Sequence, residues 1–160
     1  MTLPRLILGG VVLTALAAFV TCSRDRPTPE EQIRSLVTRA ELAAEQKDLR
    51  ALRAFVSERY HDEDDNDRES VMRLLAYHFL RHRFVHVVTT VTSVRVRAPN
   101  RAEAVVFAGL ASRAGDSFRD ALLAHADVYR FDLRLVADTP GDWTVAGAAW
   151  RPAEVGDLAE

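Results

Sequence analysis

At Phe84 the chemistry of the chain changes. Before it, apolar residues recur every three to four positions. From it onward, FVHVVTTVTSVRV is rich in valine and threonine, whose branched Cβ atoms suit a pleated strand better than a helix. Helices gathered ahead of strands, without alternation, exclude the doubly wound and barrel folds that are built from βαβ crossovers. The fold class that remains is α+β, with helices on one face of an antiparallel sheet.

The helical half contains three segments. Thr28-Pro29-Glu30-Glu31 places a capping hydroxyl, a proline at the first helical position and a glutamate three residues after the cap. Ile33, Leu36, Val37, Ala40 and Ala44 follow at helical spacing, so residues 29 to 46 read as one amphipathic helix. Asp48 caps a second helix with Leu49, Leu52, Phe55 and Val56 on one face, ending at Tyr60. Asn66 with Glu69 reads as another capping box, and Val71, Leu74, Leu75 and Phe79 carry a third helix to about Arg81.

Four strands follow. The first starts at Phe84 and turns at Ala98-Pro99-Asn100-Arg101, the second spans Ala104 to Ser112, and the third spans Asp127 to Ala137. After the turn Thr139-Pro140-Gly141-Asp142, Trp143 to Arg151 is the fourth. The expected architecture is three N-terminal helices packed on one face of a four-stranded antiparallel sheet.

The N-terminus reads as an export signal. Met1 to Arg5 carry one positive charge and Leu6 to Thr21 carry none, an apolar stretch shorter than the roughly 20 residues a spanning helix needs. Cys22, the sole cysteine, stands directly after it, followed by the charged run Ser23-Arg24-Asp25-Arg26. This resembles a bacterial lipoprotein signal, in which the cysteine becomes the lipidated first residue. Phe19-Val20-Thr21 depart from the residues that usually precede it, so an ordinary signal peptide or an uncleaved anchor stays as the alternative. Twenty arginines against the single Lys47 agree with a bacterial source of high GC content. The expected organisation is a signal over 1–22, a linker over 23–28, one domain over 29–152 and a tail over 153–160. The serine after the cysteine resembles signals sorted to the outer membrane. The expected location is therefore the cell envelope, lipid-anchored and facing the periplasm.

Composition removes several function classes. One cysteine closes no intrachain disulfide and builds no cysteine metal site. A net charge of −2 argues against the basic face that nucleic acid requires. His78, His82 and His86 recur every four residues, but the helix ends before His86, so they do not converge on a metal. The run Asp62-Glu63-Asp64-Asp65-Asn66-Asp67 looks like a calcium loop, yet Asp67 stands where that loop needs glycine and Arg73 where it needs glutamate. No metal and no cofactor is expected.

The helical segment EEQIRSLVTRAELAAEQKDLRALRAFVSERYHDEDDNDRESVMRLLAYHFL, together with the strands DVYRFDLRLV and DWTVAGAAWR, is similar to bacterial members of the nuclear-transport-factor-two-like superfamily. The likeness covers residues 28 to 152 and rests on element order, Tyr60 with Asp62 and Asn66, and the closing DW…W pattern. It implies a cone fold shared with ketosteroid isomerase and polyketide cyclases, in which a long helix and a curved sheet enclose an apolar pocket. Some members use that pocket for catalysis and others for binding.

Strand parity locates the pocket side. Asp127, Tyr129, Phe131, Leu133 and Leu135 share one face, and small inward alanines on the second strand leave volume beneath them. Tyr60, Asp62, His86, Asp127, Tyr129 and Phe131 are the candidate pocket residues, with Cys22 the lipid-attachment site. Two functions follow: a non-catalytic domain binding a small apolar ligand or a partner protein, or an isomerase- or dehydratase-like enzyme using carboxylate and tyrosine. The segment Ala114 to Ala126 has the spacing of a short apolar helix or lid. The opposite parity carries Arg95, Arg97, Glu103, Arg113, Arg130, Asp132 and Arg134 together with Val91, Val105, Phe107, Val128 and Val136. Such a face suits a homodimer or a partner protein. No nucleic acid is expected as a partner, and contact with a membrane is expected through the lipid anchor only.

Overall fold

The computed structural model describes residues 26–81, 86–110, 128–154 and 157. Thr28 caps α1 (Pro29–Glu45): its hydroxyl accepts from the Glu31 amide at 3.2 Å, and the Glu31 carboxylate accepts from the Thr28 amide at 2.7 Å. These bonds hold the Glu31 carboxyl below its usual range, the backbone bond from Thr28 contributing most. The helix stops where Lys47 turns left-handed, φ 55°. There the Asp48 amide donates to the Ala43 carbonyl and the Lys47 amide to that of Ala44, the hydrogen-bond pair that closes a helix when one residue adopts this conformation.

Asp48 then caps α2 (Leu49–Phe55) by accepting from the Ala51 amide at 2.9 Å. This helix is shorter than the spacing implies. It ends at Phe55 because Val56 leaves it to form a parallel bridge with Val145. At α3 (Arg68–Arg81) the cap is Asp67 rather than Asn66, accepting from the Ser70 amide at 2.8 Å. The Asn66 side-chain amide is turned instead onto Asp62.

The sheet is an open antiparallel meander, β1 (Val87–Ala98), β2 (Arg101–Leu110), β3 (Val128–Ala137) and β4 (Trp143–Pro152), in the order β1-β2-β3-β4. Its inner face carries Ala102, Ala104 and Val106 of β2 opposite Leu135, Leu133 and Phe131 of β3. α1 lies against this face, where Ile33, Leu36 and Val37 pack with Ala102, Ala104, Leu135 and Trp143. Burying each large side chain there contributes about 1.5–3 kcal/mol. A second cluster joins the helices through Ala43, Leu52, Met72 and Phe79.

Two of the sheet's three register shifts bear on which side chains face inward. Register shifts between Val91 and Ser93, so Thr92 is the extra residue and Val91 pairs with Val106 on the core side. Val91 therefore does not belong to the outward face that strand parity assigns it, because one inserted residue reverses everything on its far side. Phe107 is a second correction. It shares the outward face with its partner Arg130, yet it is only 1% exposed. On β4 the shift lies between the partners of Arg134 and Leu135, which pair with Gly147 and Val145.

Candidate functional site

The residues after α2 run beside β4 and position the candidate polar pair. The Ser57 amide donates to the Val145 carbonyl at 2.9 Å and the His61 amide to that of Ala146 at 3.1 Å. Arg134 ties the same segment down from the sheet, donating to the His61 carbonyl at 2.8 Å. So held, Tyr60 is buried and donates its hydroxyl to Asp62 at 3.1 Å.

Asp62 is 3% exposed and is the centre of its loop. One carboxylate oxygen accepts from the Asp64 amide at 3.0 Å and the Asn66 amide at 2.9 Å, and the Asn66 side chain donates to both oxygens. Burial works to raise its pKa, but the bonds donated by Asn66, Tyr60 and Asp64 outweigh it and hold the carboxyl below its ordinary value. Tyr60 moves the other way. Burial first, and the adjacent Asp62 charge second, push its hydroxyl well above the usual tyrosine value. The acidic run is thus a turn organised around one carboxylate whose lone pairs already face N–H and O–H donors.

Above this pair, between α1, α2 and the inner sheet face, lies a cavity of about 290 Å³. Hydrocarbon makes nearly all of its wall. Leu36, Val37, Ala40 and Ala44 come from α1, Leu52 and Phe55 from α2, and Val106, Phe131, Leu133, Ala148 and Trp150 from the sheet. Phe131 and Trp150 are cross-strand partners, and both line it. Arg39 stacks over the Phe55 ring at 5.2 Å from the helix side.

The candidate residues separate on this geometry. Tyr60 and Phe131 line the cavity. Asp62 lies behind Tyr60. Tyr129 shares the inner parity but is 39% exposed, at the end of β3 away from the cavity wall. His86 sits just before β1, its Nδ1 3.8 Å from Glu45 at the end of α1. Asp127, Cys22 and the 114–126 segment lie outside the described residues.

The alanines that leave space are not those of β2, where Ala102 and Ala104 are buried beneath α1. They are Ala40 and Ala44 of α1 and Ala148 of β4. Sequence reasoning also passes over Glu41, which lines the cavity and accepts from the Thr89 amide at 2.9 Å. Its signal is position: it follows Val37 by four residues, so it stands on the edge of the buried stripe. Among the described residues no three histidine, cysteine or acidic side chains are grouped to hold a metal, and no helix is long and apolar enough to cross a membrane.

On the outward face, a groove of about 370 Å³ is bordered by Arg95, Glu103, Phe107, Arg130, Asp132 and Asp157. Asp157 accepts from Arg151 at 2.8 and 2.5 Å and from Arg130 at 3.1 Å. Its carboxyl is held far below the usual range, chiefly by Arg151, then by the Glu154 amide. This cluster pins residue 157 to the end of β3 and β4.

No family model matches the chain, and no curated protein matches it. Solved structures do. A domain with a cystatin-like fold from Nostoc punctiforme is 13% identical with a TM-score of 0.61, the match covering 83% of each chain. An NTF-2-like protein of unknown function from Shewanella oneidensis is 16% identical with a TM-score of 0.56, covering 77% of this chain and 98% of that one. Bd1075 of Bdellovibrio bacteriovorus is 11% identical with a TM-score of 0.57; 90% of this chain matches 53% of that one, so this chain spans about half its length. At these identities the likeness concerns architecture, and it agrees with the helices-then-meander order. The chain has the nuclear-transport-factor-two-like, or cystatin-like, fold.

Proposed function

We propose that this protein is a non-catalytic binding domain whose cone, formed by the helices and the inner sheet face, holds a small apolar ligand. The observation that carries this reading is the cavity of about 290 Å³ with an almost wholly hydrocarbon wall. Water gains little in such a space, and an apolar molecule gains by leaving water for it. A dry cavity of about 150 Å³ holds benzene, so this one suits a ligand of about 12 heavy atoms. Catalysis by tyrosine and carboxylate is less well supported. A general base or acid works near neutral pH when burial lifts its carboxyl pKa, whereas Asp62 is held low and its oxygens are engaged in its own loop.

The experiment is a titration with 1-decanol followed by the fluorescence of Trp150, which lines the cavity. Wild type should bind, and Ala148→Phe, which fills the space, should not while keeping its circular dichroism. Equal response of the two proteins refutes the pocket reading.

The same proposal anchors the domain to the bacterial envelope through acylated Cys22, facing the periplasm from the outer membrane. Mass spectrometry of the protein from a bacterial envelope should find an N-terminus at Cys22 bearing acyl chains, and Cys22→Ser should release it from membranes. An unmodified N-terminus elsewhere overturns the anchor. A second copy is the partner we assign to the outward face. The support is its mixture of arginine and acidic side chains, on which like surfaces can pair charge to charge. Sedimentation at micromolar concentration tests it, a purely monomeric species being the contrary result.

A further inference from the structure

We propose that the ligand of this cavity is an amphiphile with a cationic amine head, and that Glu41 is the group that receives it; the inference rests on the pocket reading above. Polar groups at the cavity are few, and they differ in what they have left to offer. The Tyr60 hydroxyl is spent on Asp62 at 3.1 Å, with the Ala148 backbone amide beside it. Thr89 points its hydroxyl and its amide at one oxygen of Glu41, Oε2. The other oxygen, Oε1, receives no hydrogen bond from the described residues. A carboxylate thus stands half-buried at the edge of a hydrocarbon chamber, fixed from the β1 side by two donors, with no donor among the described residues on its other oxygen.

That arrangement discriminates between ligands of one shape. Two bonds on Oε2 hold the carboxylate plane in place, so Oε1 is presented without further ordering cost. An ammonium group has three donors and full charge at neutral pH, since alkylamines titrate near 10.4 as lysine does. Its bond to Oε1 is charge-assisted and lies against low-dielectric surface, where such a bond is stronger than in water. A hydroxyl head makes a weaker bond, and a carboxylate head is repelled. The apolar tail of about ten carbons fills the same space in every case.

Three probes of matched length separate the inference from the reading beneath it: decylamine, 1-decanol and decanoate, titrated into the full-length chain in detergent-free buffer. Wild type should bind decylamine at least tenfold tighter than decanol, with decanoate weakest. Glu41→Gln keeps an acceptor for Thr89 but loses the charge. It should bring the decylamine-to-decanol affinity ratio down to about one. Thr89→Val, which removes the hydroxyl and spares the carboxylate, should retain the amine preference and guards against a result due to misfolding at position 41. Equal binding of decylamine and decanol by wild type, or a preference that survives Glu41→Gln, overturns the inference and leaves the apolar pocket standing. Failure of all three probes to bind overturns both.

Discussion

The Tyr60 hydroxyl donates to the Asp62 carboxylate at 3.1 Å, and both side chains are buried, 6% and 3% exposed. The pair joins the cavity wall to the loop after α2, so its removal should be felt as lost stability. Asp62→Ala strands the Tyr60 hydroxyl and removes the acceptor for the Asp64 and Asn66 amides; we expect a cost of about 2–4 kcal/mol. Tyr60→Phe leaves those amides satisfied and should cost about 1 kcal/mol. Urea unfolding of the two variants checks the order, and equal costs would show that the loop amides do not depend on Asp62.

The pair also sets opposite pH dependences. Asp62 has a lowered pKa in the fold, so its contribution is complete above the unfolded value of about 3.9 and is lost as pH falls through the folded value. Tyr60 is raised, so its contribution is complete below its unfolded value of about 10 and is lost as pH rises beyond that. Unfolding midpoints should therefore fall below pH 4 and again above pH 10. Asp62→Asn should flatten the acid arm and Tyr60→Phe the alkaline one, and an unchanged slope in either variant contradicts the assignment.

Gly147 is required by its neighbours rather than by its backbone. A Cβ there would lie 2.3 Å from the Arg134 guanidinium and 2.7 Å from the His61 carbonyl, the two groups that bond each other across it. Gly147→Ala should cost about 1–3 kcal/mol through this overpacking. Adding Arg134→Ala relieves the side-chain clash but not the backbone one, so the double variant should recover only part of the loss in thermal unfolding.

How much of this was legible follows from what is local. Thr28 with Glu31 caps its own helix, and the valine-rich strands begin and end within a few residues of where their composition places them. The bulge at Thr92 was not legible, because Thr89 to Val96 are nearly all strand formers and nothing among them marks the inserted residue. The α3 cap stands one residue beyond Asn66 because Asp62, four positions upstream, takes the Asn66 side chain. The cavity needed three dimensions. Ala40, Ala44 and Ala148 leave it only because the fold sets α1 and β4 on walls of one cavity, a placement that no single segment encodes, and Glu41 gains its role from a threonine 48 residues away.

Phe107 gives the sharpest test of where the core ends. Parity places it outward beside Arg130, among the side chains that border the outer groove, on the face assigned to a second copy. In the single chain it is nevertheless 1% exposed, more buried than Leu36 or Trp143 of the inner cluster. A ring already out of water gains nothing further from association, so its energy belongs to folding. Phe107→Ala should cost about 3–5 kcal/mol, and Phe107→Asp, which buries a charge without a partner, should unfold the domain outright. Val105, on the same face but half-buried, should tolerate alanine with a cost of about 1 kcal/mol. Circular dichroism and sedimentation of the Phe107→Asp protein decide the matter: a folded species with altered oligomeric state would place the ring at an interface, and an unfolded one places it in a small core on the outward side of the sheet.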